Sequence, residues 1–469
     1  MLSGDAEARE RHTTTCTFPP GPKGKPFVGH LFTLFTFRRD PLGFLQQAAR
    51  DYGDLVSFRR VGSQDIFLLN HPDYIQDVFV THQRNFSKGR EVERVKVFLG
   101  EGLMTSEGDL HRRQRRLVQP AFHRQRVTTC GASMVEYAAQ TRERWRDGVA
   151  LDIAQEMMHL TLAIAGKTLC DADVETEATE LEAALTTIVM EGAPRIMSPF
   201  YELLSRLPLP SNRRLEKALK RLDATIHRMI NEHRVSGEDR GDLLSLLLLA
   251  RDQEGDGSGM TKKQVRDEAI THFLGGHETM ATALTWTWYL LSQNPEAEAK
   301  LHAEIDSVLA GRLPTADDVS QLHYTRMVLA ESMRLYPPVW AIGRRALEDH
   351  EIPPYRIPAN SLLIMSPYVT QRSPRYFPNP SVFDPQRWTP AAQAERPKYS
   401  YFPFGGGSHQ CIGEAFAWME GVLLIATLAQ RWRLRLVPGH PVAVQPLVTL
   451  RPKYGMRMIV EQRKPATLH

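Results

Sequence analysis

No proline interrupts the chain between Thr261, which opens a Thr-Lys-Lys-Gln helix start, and Pro295. At 1.5 Å per residue, a helix of that length spans roughly 50 Å, the width of a whole domain. Such a helix must cross the core, so the rest of the fold has to be built around it. Polar residues in its middle then need a reason, because burying them without partners is costly. The middle reads Gly275-Gly-His277-Glu278-Thr279. On either side, from about residue 72 to 305, amphipathic helical runs are separated by Gly, Pro or polar breaks. Two short alternating segments, Leu55 to Arg60 and Ile66 to Asn70, read as a hairpin with Gly62 in its turn. Beyond Pro337 the chain becomes proline-rich and strand-like, then carries one more helical pattern, Gly413 to Arg431, ahead of a strand-rich tail. The fold class is mainly α with minor β.

The composition admits such a fold and excludes several functions. With 469 residues, 42% hydrophobic and 24% charged, the chain is an ordinary globular one. Its length alone sets a prior of about three domains. The 58 basic and 54 acidic residues leave a formal charge of +4, too balanced for a dedicated nucleic-acid binder. The N-terminus carries no charged segment followed by an apolar one, and no apolar run reaches the ~18 residues of a membrane span. A cytoplasmic location is therefore expected, with residues 1–18 a flexible N-terminal segment and a stiff Pro/Gly-rich lead-in over 17–30. The four cysteines, Cys16, Cys130, Cys170 and Cys411, contain no CxxC pair, which argues against a disulfide framework, a zinc ribbon and c-type haem attachment.

One cysteine stands apart. In Phe404-Gly405-Gly-Gly-Ser-His-Gln-Cys411-Ile-Gly413 the glycines let the backbone turn tightly against a flat ligand. The helical pattern beginning near Gly413 would place N–H donors and positive dipole by the sulfur, lowering the thiol pKa. A thiolate so held is a good axial ligand for haem iron. Glu331 and Arg334 lie three apart, as an ion pair on one helix face does. Thr279 can bond a carbonyl four residues back and bend the long helix, and Gly275 and Gly276 would weaken the same turn.

Together these residues resemble the cytochrome P450 family. Phe404, Gly405, Gly407, Cys411 and Gly413 match its cysteine signature, Glu331-Ser-Met-Arg334 its ExxR pair, and Pro385-Gln-Arg387-Trp388 its PERF motif. Gly275-Gly-His-Glu278-Thr279 is similar to its oxygen-binding motif. The resemblance runs from about Pro19 to the end. It implies a single haem domain over 19–469, haem b with Cys411 on the iron, and oxygen-dependent monooxygenation. It also implies Thr279 as the hydrogen-bond donor that steadies dioxygen, Glu278 as proton relay, and Arg387 as the third member of a structural network with Glu331 and Arg334. Arg115, Arg344 and His409 match positions that contact the haem propionates. His111 stands where the family commonly has Trp, so its place as a propionate ligand is open. Phe404 and Gly405 belong to the cofactor-binding loop. Arg112, Arg113 and Arg116 either form a solvated face or attract an acidic electron donor.

By resemblance, the substrate pocket is lined by Val97 to Met104, the 186–212 region, Thr271, Leu274, Gly275, Val339 to Ile342, and Val448 with Thr449. These candidates are largely apolar, suiting a terpenoid, fatty acid or steroid, although core packing explains them about as well. The 469 residues leave no room for an appended reductase, so electrons would come from NAD(P)H through a ferredoxin or flavodoxin with its reductase. The enzyme is expected to be a monomer without a membrane span. A peroxide-using or isomerising enzyme of the same fold, or a non-catalytic haem protein, are the alternatives.

Overall fold

Thr261 opens the long helix with reciprocal bonds. Its hydroxyl accepts the Gln264 N–H at 3.2 Å, and the Gln264 side chain accepts the Thr261 N–H at 2.9 Å. Two otherwise orphaned donors are thereby satisfied. The computed structural model describes residues 17–22, 31–59, 64–171, 178–196 and 201–463. The helices that build the site are α1 (Gly108–Val118), α2 (Arg124–Arg144), α3 (Ile153–Cys170), the long α4 (Lys262–Gln293), α5 (His323–Leu335) and α6 (Glu414–Ala429). Helix α4 has 32 residues and ends where Pro295 starts the next helix.

The described residues group into two compact units, one within Met1–Ser87 and Gly343–Met365, the other within Lys88–Ile342 and Ser366–His469. In the larger unit α4 is buried on all sides, through Val265, Phe273, Ala281, Leu284, Trp286 and Leu291. A helix surrounded in this way belongs to the core, not to an amphipathic surface layer. Met157, Leu160 and Ile164 of α3 join its C-terminal half in one apolar cluster, and Leu162, Ala165 and Leu169 join its N-terminal half in another. Helices α4, α5 and α6 converge at Gly421, where a Cβ would come 2.4 Å from Leu329 Cδ2 and 3.0 Å from Met280 Cε. Only glycine lets α6 approach that closely. A three-stranded antiparallel sheet, Ala150–Asp152, Arg457–Gln462 and Trp432–Leu436, and a two-stranded one, Val444–Pro446 with Leu450–Pro452, complete this unit.

The smaller unit holds the expected hairpin, with Leu55 opposite Leu69 and Phe58 opposite Ile66. Its Gly62 turn lies outside the described residues. Leu362–Met365 adds in parallel to Asp65–Leu69, and Ile342–Ala346 and Phe86–Ser87 extend the sheet. Of the N-terminal segment, residues 1–16 are outside the described residues. Thr17 and Phe18 are held in place: the Thr17 N–H donates to Pro354 O at 2.9 Å, and the Phe18 ring packs 5.7 Å from Phe67. Among the described residues no helix is long and apolar enough to cross a membrane.

Candidate active site

The cysteine loop is a closed backbone turn. Gly405 N–H bonds Phe402 O at 3.0 Å, and Cys411 N–H bonds Phe404 O at 2.9 Å. Gly405 and Gly407 have φ of +70° and +68°, a region that favours glycine. Gly406 allows a different closeness, since a Cβ there would meet the Tyr399 ring at 2.7 Å. The Gly413 N–H pulls the Cys411 thiol down as the helix start predicts, but burial is the larger influence and the net direction is upward. Here the expectation of a lowered pKa is corrected: desolvation outweighs one N–H donor, so the thiolate needs a cation at the sulfur. Cys411 is exposed by surface area yet closely surrounded by protein.

Beside this loop, α1 contributes basic side chains. Arg115 Nη1 donates to Gln410 O at 2.8 Å. The His111 ring stacks on His409 with centroids 4.4 Å apart, and its Nε2 lies 3.4 Å from Ser408 O. Burial, with Lys88 and His409 close by, pushes His111 down to about 4, so it is a neutral ring at pH 7. His409 Nε2 lies 3.5 Å from Glu107. The other arginines of α1 face elsewhere. Arg113 and Arg116 both pair with the buried Asp252, at 3.3 and 3.0 Å, and Arg112 pairs with Asp109. Arg113 and Arg116 are thus neutralised through one acid far away in sequence, whereas Arg112 pairs with an acid one turn back on its own helix. Arg344 belongs to the smaller unit, where it is buried, with its guanidinium 5.3 Å from the Phe79 ring centroid and its Nη1 donating to Gly343 O.

Glu331 and Arg334 on α5 are fully buried, more than their apolar neighbours imply, and pair through two parallel bonds of 2.8 Å. The remaining Arg334 donors reach Gln371 O, Pro380 O and Val382 O at 3.0, 2.8 and 3.1 Å. Glu331 also accepts Asp384 N–H and Trp388 Nε1–H, both at 3.0 Å, with Arg387 Nε 3.4 Å away. Gln371 was not foreseen. Its amide donates to Met333 O and Arg334 O at 3.1 and 3.2 Å, while its oxygen accepts Phe402 N–H at 3.2 Å. It therefore ties α5 to the backbone entering the cysteine loop. A lone Gln in a proline-rich stretch carries no periodic signal of such a role.

In the middle of α4, Thr279 Oγ1 donates to Gly275 O at 2.8 Å. The helix runs unbroken through Gly275 and Gly276, and Thr279 bonds back to its own helix as its position allows. Glu278 is buried and accepts Thr449 Oγ1–H at 2.5 Å and Arg451 Nε–H at 2.9 Å. Thr449, a pocket candidate, is in fact a buried donor to Glu278, and Arg451 is a partner the sequence did not indicate. About three turns earlier, Asp267 accepts Glu101 N–H at 2.9 Å and Glu268 accepts Leu103 N–H at 3.1 Å. Gly100 and Gly102 make this possible, because a Cβ would come 2.1 Å from Asp267 Oδ1 or 2.2 Å from Thr271 Oγ1. The candidate pocket loop is thus fastened to α4 by two buried carboxylates. Leu274, Gly275, Val339 and Ile342 are half-buried, whereas Val97 is 72% and Val448 50% exposed. On the helix Arg90–Leu99 it is Leu99 that turns inward. Residues 197–200 of the 186–212 region lie outside the described residues.

These groups fit a haem. A thiol presents itself at the mouth of the loop, basic side chains on α1 and the loop suit carboxylates, and a Cβ built on Gly275 meets nothing within 4 Å. The family model Cytochrome P450 matches residues 19–458. The chain belongs to the cytochrome P450 family. It is 41% identical to cyclooctatin synthase of Streptomyces melanosporofaciens, over 97% of this chain and 96% of the relative. Pentalenene oxygenase of Streptomyces avermitilis is 34% identical, over 97% and 99%. Among solved structures, the cytochrome P450DA heme domain superimposes with a TM-score of 0.85 at 25% identity, over 96% of this chain and 99% of that one. As a P450 the protein is a haem-dependent monooxygenase of a hydrophobic small molecule.

Proposed function

We propose that this P450 oxygenates a terpenoid skeleton at an unactivated C–H bond, in the cytoplasm and as a monomer. Electrons would reach it from NAD(P)H through a ferredoxin or flavodoxin with its reductase. The observation that carries the substrate class is the near full-length similarity to cyclooctatin synthase and pentalenene oxygenase. The largely apolar flank of α4 is consistent with it.

Haem, when bound with the Cys411 thiolate on its iron, supplies oxygen activation, the electron-rich ligand favouring O–O cleavage. The chain's own residues do the rest. Arg115 and His409 would hold the propionates, with His111, stacked on His409, as a further candidate. Thr279 parks its proton on Gly275 O, which leaves its oxygen lone pairs to accept a bond from an incoming donor. Glu278, held by Arg451 and Thr449, keeps an acid on the residue next to Thr279 for proton delivery. The buried Glu331–Arg334 pair, with Arg387 and Gln371, keeps the cysteine loop in register.

The reduced protein should give a carbon monoxide difference band near ~450 nm, and Cys411→Ala should lose it. Terpene hydrocarbons and alcohols, supplied with NADPH and electron donors, should yield products one oxygen heavier. Thr279→Ala should retain haem but divert electrons to peroxide. Product formation with peroxide alone, equal to that with donors and indifferent to Thr279→Ala, would instead establish the peroxide-using reading.

A further inference from the structure

Asp77, His82 and His350 form a cluster in the smaller unit that oxygenation does not use. Residues Asp77–Thr81 form a π-turn, closed by the His82 N–H on Asp77 O at 2.8 Å. Such turns are rare in helices and recur at functional sites. In an α-helix, residues five apart point about 140° away from each other. Widening the turn brings His82 back over Asp77. His82 Nδ1 then lies 2.6 Å from Asp77 Oδ1, and His350 Nε2, on the strand His350–Ile352, lies 2.7 Å from Asp77 Oδ2. All three donor atoms fall within 4.8 Å of one another. His350 is buried and backed by the Phe86 ring, with centroids 5.0 Å apart, while His82 is about half exposed. One side of the cluster is therefore walled and the other open to water.

We infer that Asp77, His82 and His350 bind a divalent transition-metal ion with the preferences of zinc. Two imidazole nitrogens, one carboxylate oxygen and a water make up the tetrahedral set that zinc takes. Imidazole donors select against magnesium and calcium, which prefer oxygen alone. Ligands around such an ion stand about 3.3 Å apart, wider than the present hydrogen bonds, and the exposed His82 has room to move outward. Asn85 Nδ2 lies 3.5 Å from His350 Nδ1, and its amide can be turned to accept the ring proton once Nε2 holds the metal. The ion would cross-link the π-turn to the strand carrying His350. Phe79 of that turn lies against Arg344, so the cross-link would stiffen the segment beneath a residue the family places near haem.

The test uses the untagged, haem-loaded full chain, stripped with chelator and titrated calorimetrically with zinc chloride in excess magnesium. One equivalent should bind at micromolar or tighter affinity, and thermal unfolding should shift upward with zinc. His82→Ala, at a half-exposed position, and Asp77→Asn should each weaken binding by at least about tenfold and abolish the thermal shift. The carbon monoxide difference spectrum of each variant checks that its haem is retained. Absence of zinc binding, or binding unchanged in both variants, would overturn the assignment and leave a hydrogen-bonded Asp–His–His triad.

Discussion

The ion pair on α5 and the polar stretch on α4 are both deeply buried, yet they are satisfied very differently. All the Arg334 donor groups and both Glu331 oxygens are bonded, to each other or to backbone and Trp388. On α4, two to three turns before Thr279, Glu268 Oε1 and Thr271 Oγ1 have no hydrogen-bond partner within the described protein. Saturated polar groups hold one arrangement, because any movement breaks several bonds at once. Under-satisfied ones leave a segment able to respond to what lies beside it. On the proposed function, the first region is the scaffold of the cysteine loop and the second a wall of the reaction space.

The largest effect that would test this contrast is Arg334→Ala. It strands the buried Glu331 charge and should cost about 3–5 kcal/mol, with loss of stable haem uptake, measured by denaturant unfolding and the carbon monoxide spectrum. If stability were unchanged, the network would not be the scaffold. Gln371→Leu removes the link between α5 and Phe402 while keeping volume. It should cost about 1–3 kcal/mol and speed haem loss, followed by transfer of haem to an acceptor protein.

His302, buried on the helix Pro295–Leu309 that follows α4, extends the comparison, since its Nδ1 is also unpartnered within the described residues. Burial, with Arg463, Arg433 and Arg435 nearby, pushes it down to about 3. A depressed histidine means that the unfolded chain takes up the proton first. Stability should fall as pH drops below the unfolded value near 6.5, by up to about 2 kcal/mol between pH 7 and pH 5. His302→Gln should flatten that slope in pH-dependent unfolding. The smallest effect belongs to Thr271→Val. Removing a hydroxyl that has no partner should change stability by less than about 0.5 kcal/mol, or raise it. A loss comparable to Gln371→Leu would show that Thr271 is satisfied after all and erase the distinction.

What was legible in the sequence is what depends on short spacing. The three-residue offset of Glu331 and Arg334, the glycines around Cys411 and the Thr261–Gln264 helix start each act within a turn or loop, so local order exposes them. The long helix was legible for the same reason, as periodicity without proline. Partners far apart in the chain were not. Gln371 with Phe402, Arg451 with Glu278, and Asp252 with Arg113 and Arg116 meet only once helices pack, and no local pattern marks them. The weakening expected at Gly275 and Gly276 does not interrupt the helix. Glycine lowers helix propensity by only about 1 kcal/mol, and burial of α4 on all sides overrides that.

By itself, then, the chain order determined the helical core, the cysteine loop and the chemistry they can hold, because these follow from backbone turns and nearest neighbours. Tertiary structure alone decided the balance of charge and desolvation at each group. It paired Arg113 and Arg116 with Asp252, drove His111 towards its neutral form and raised the Cys411 thiol despite its helix start. Electrostatic energies depend on distance through space and on exclusion of water, and neither is written in the order of residues.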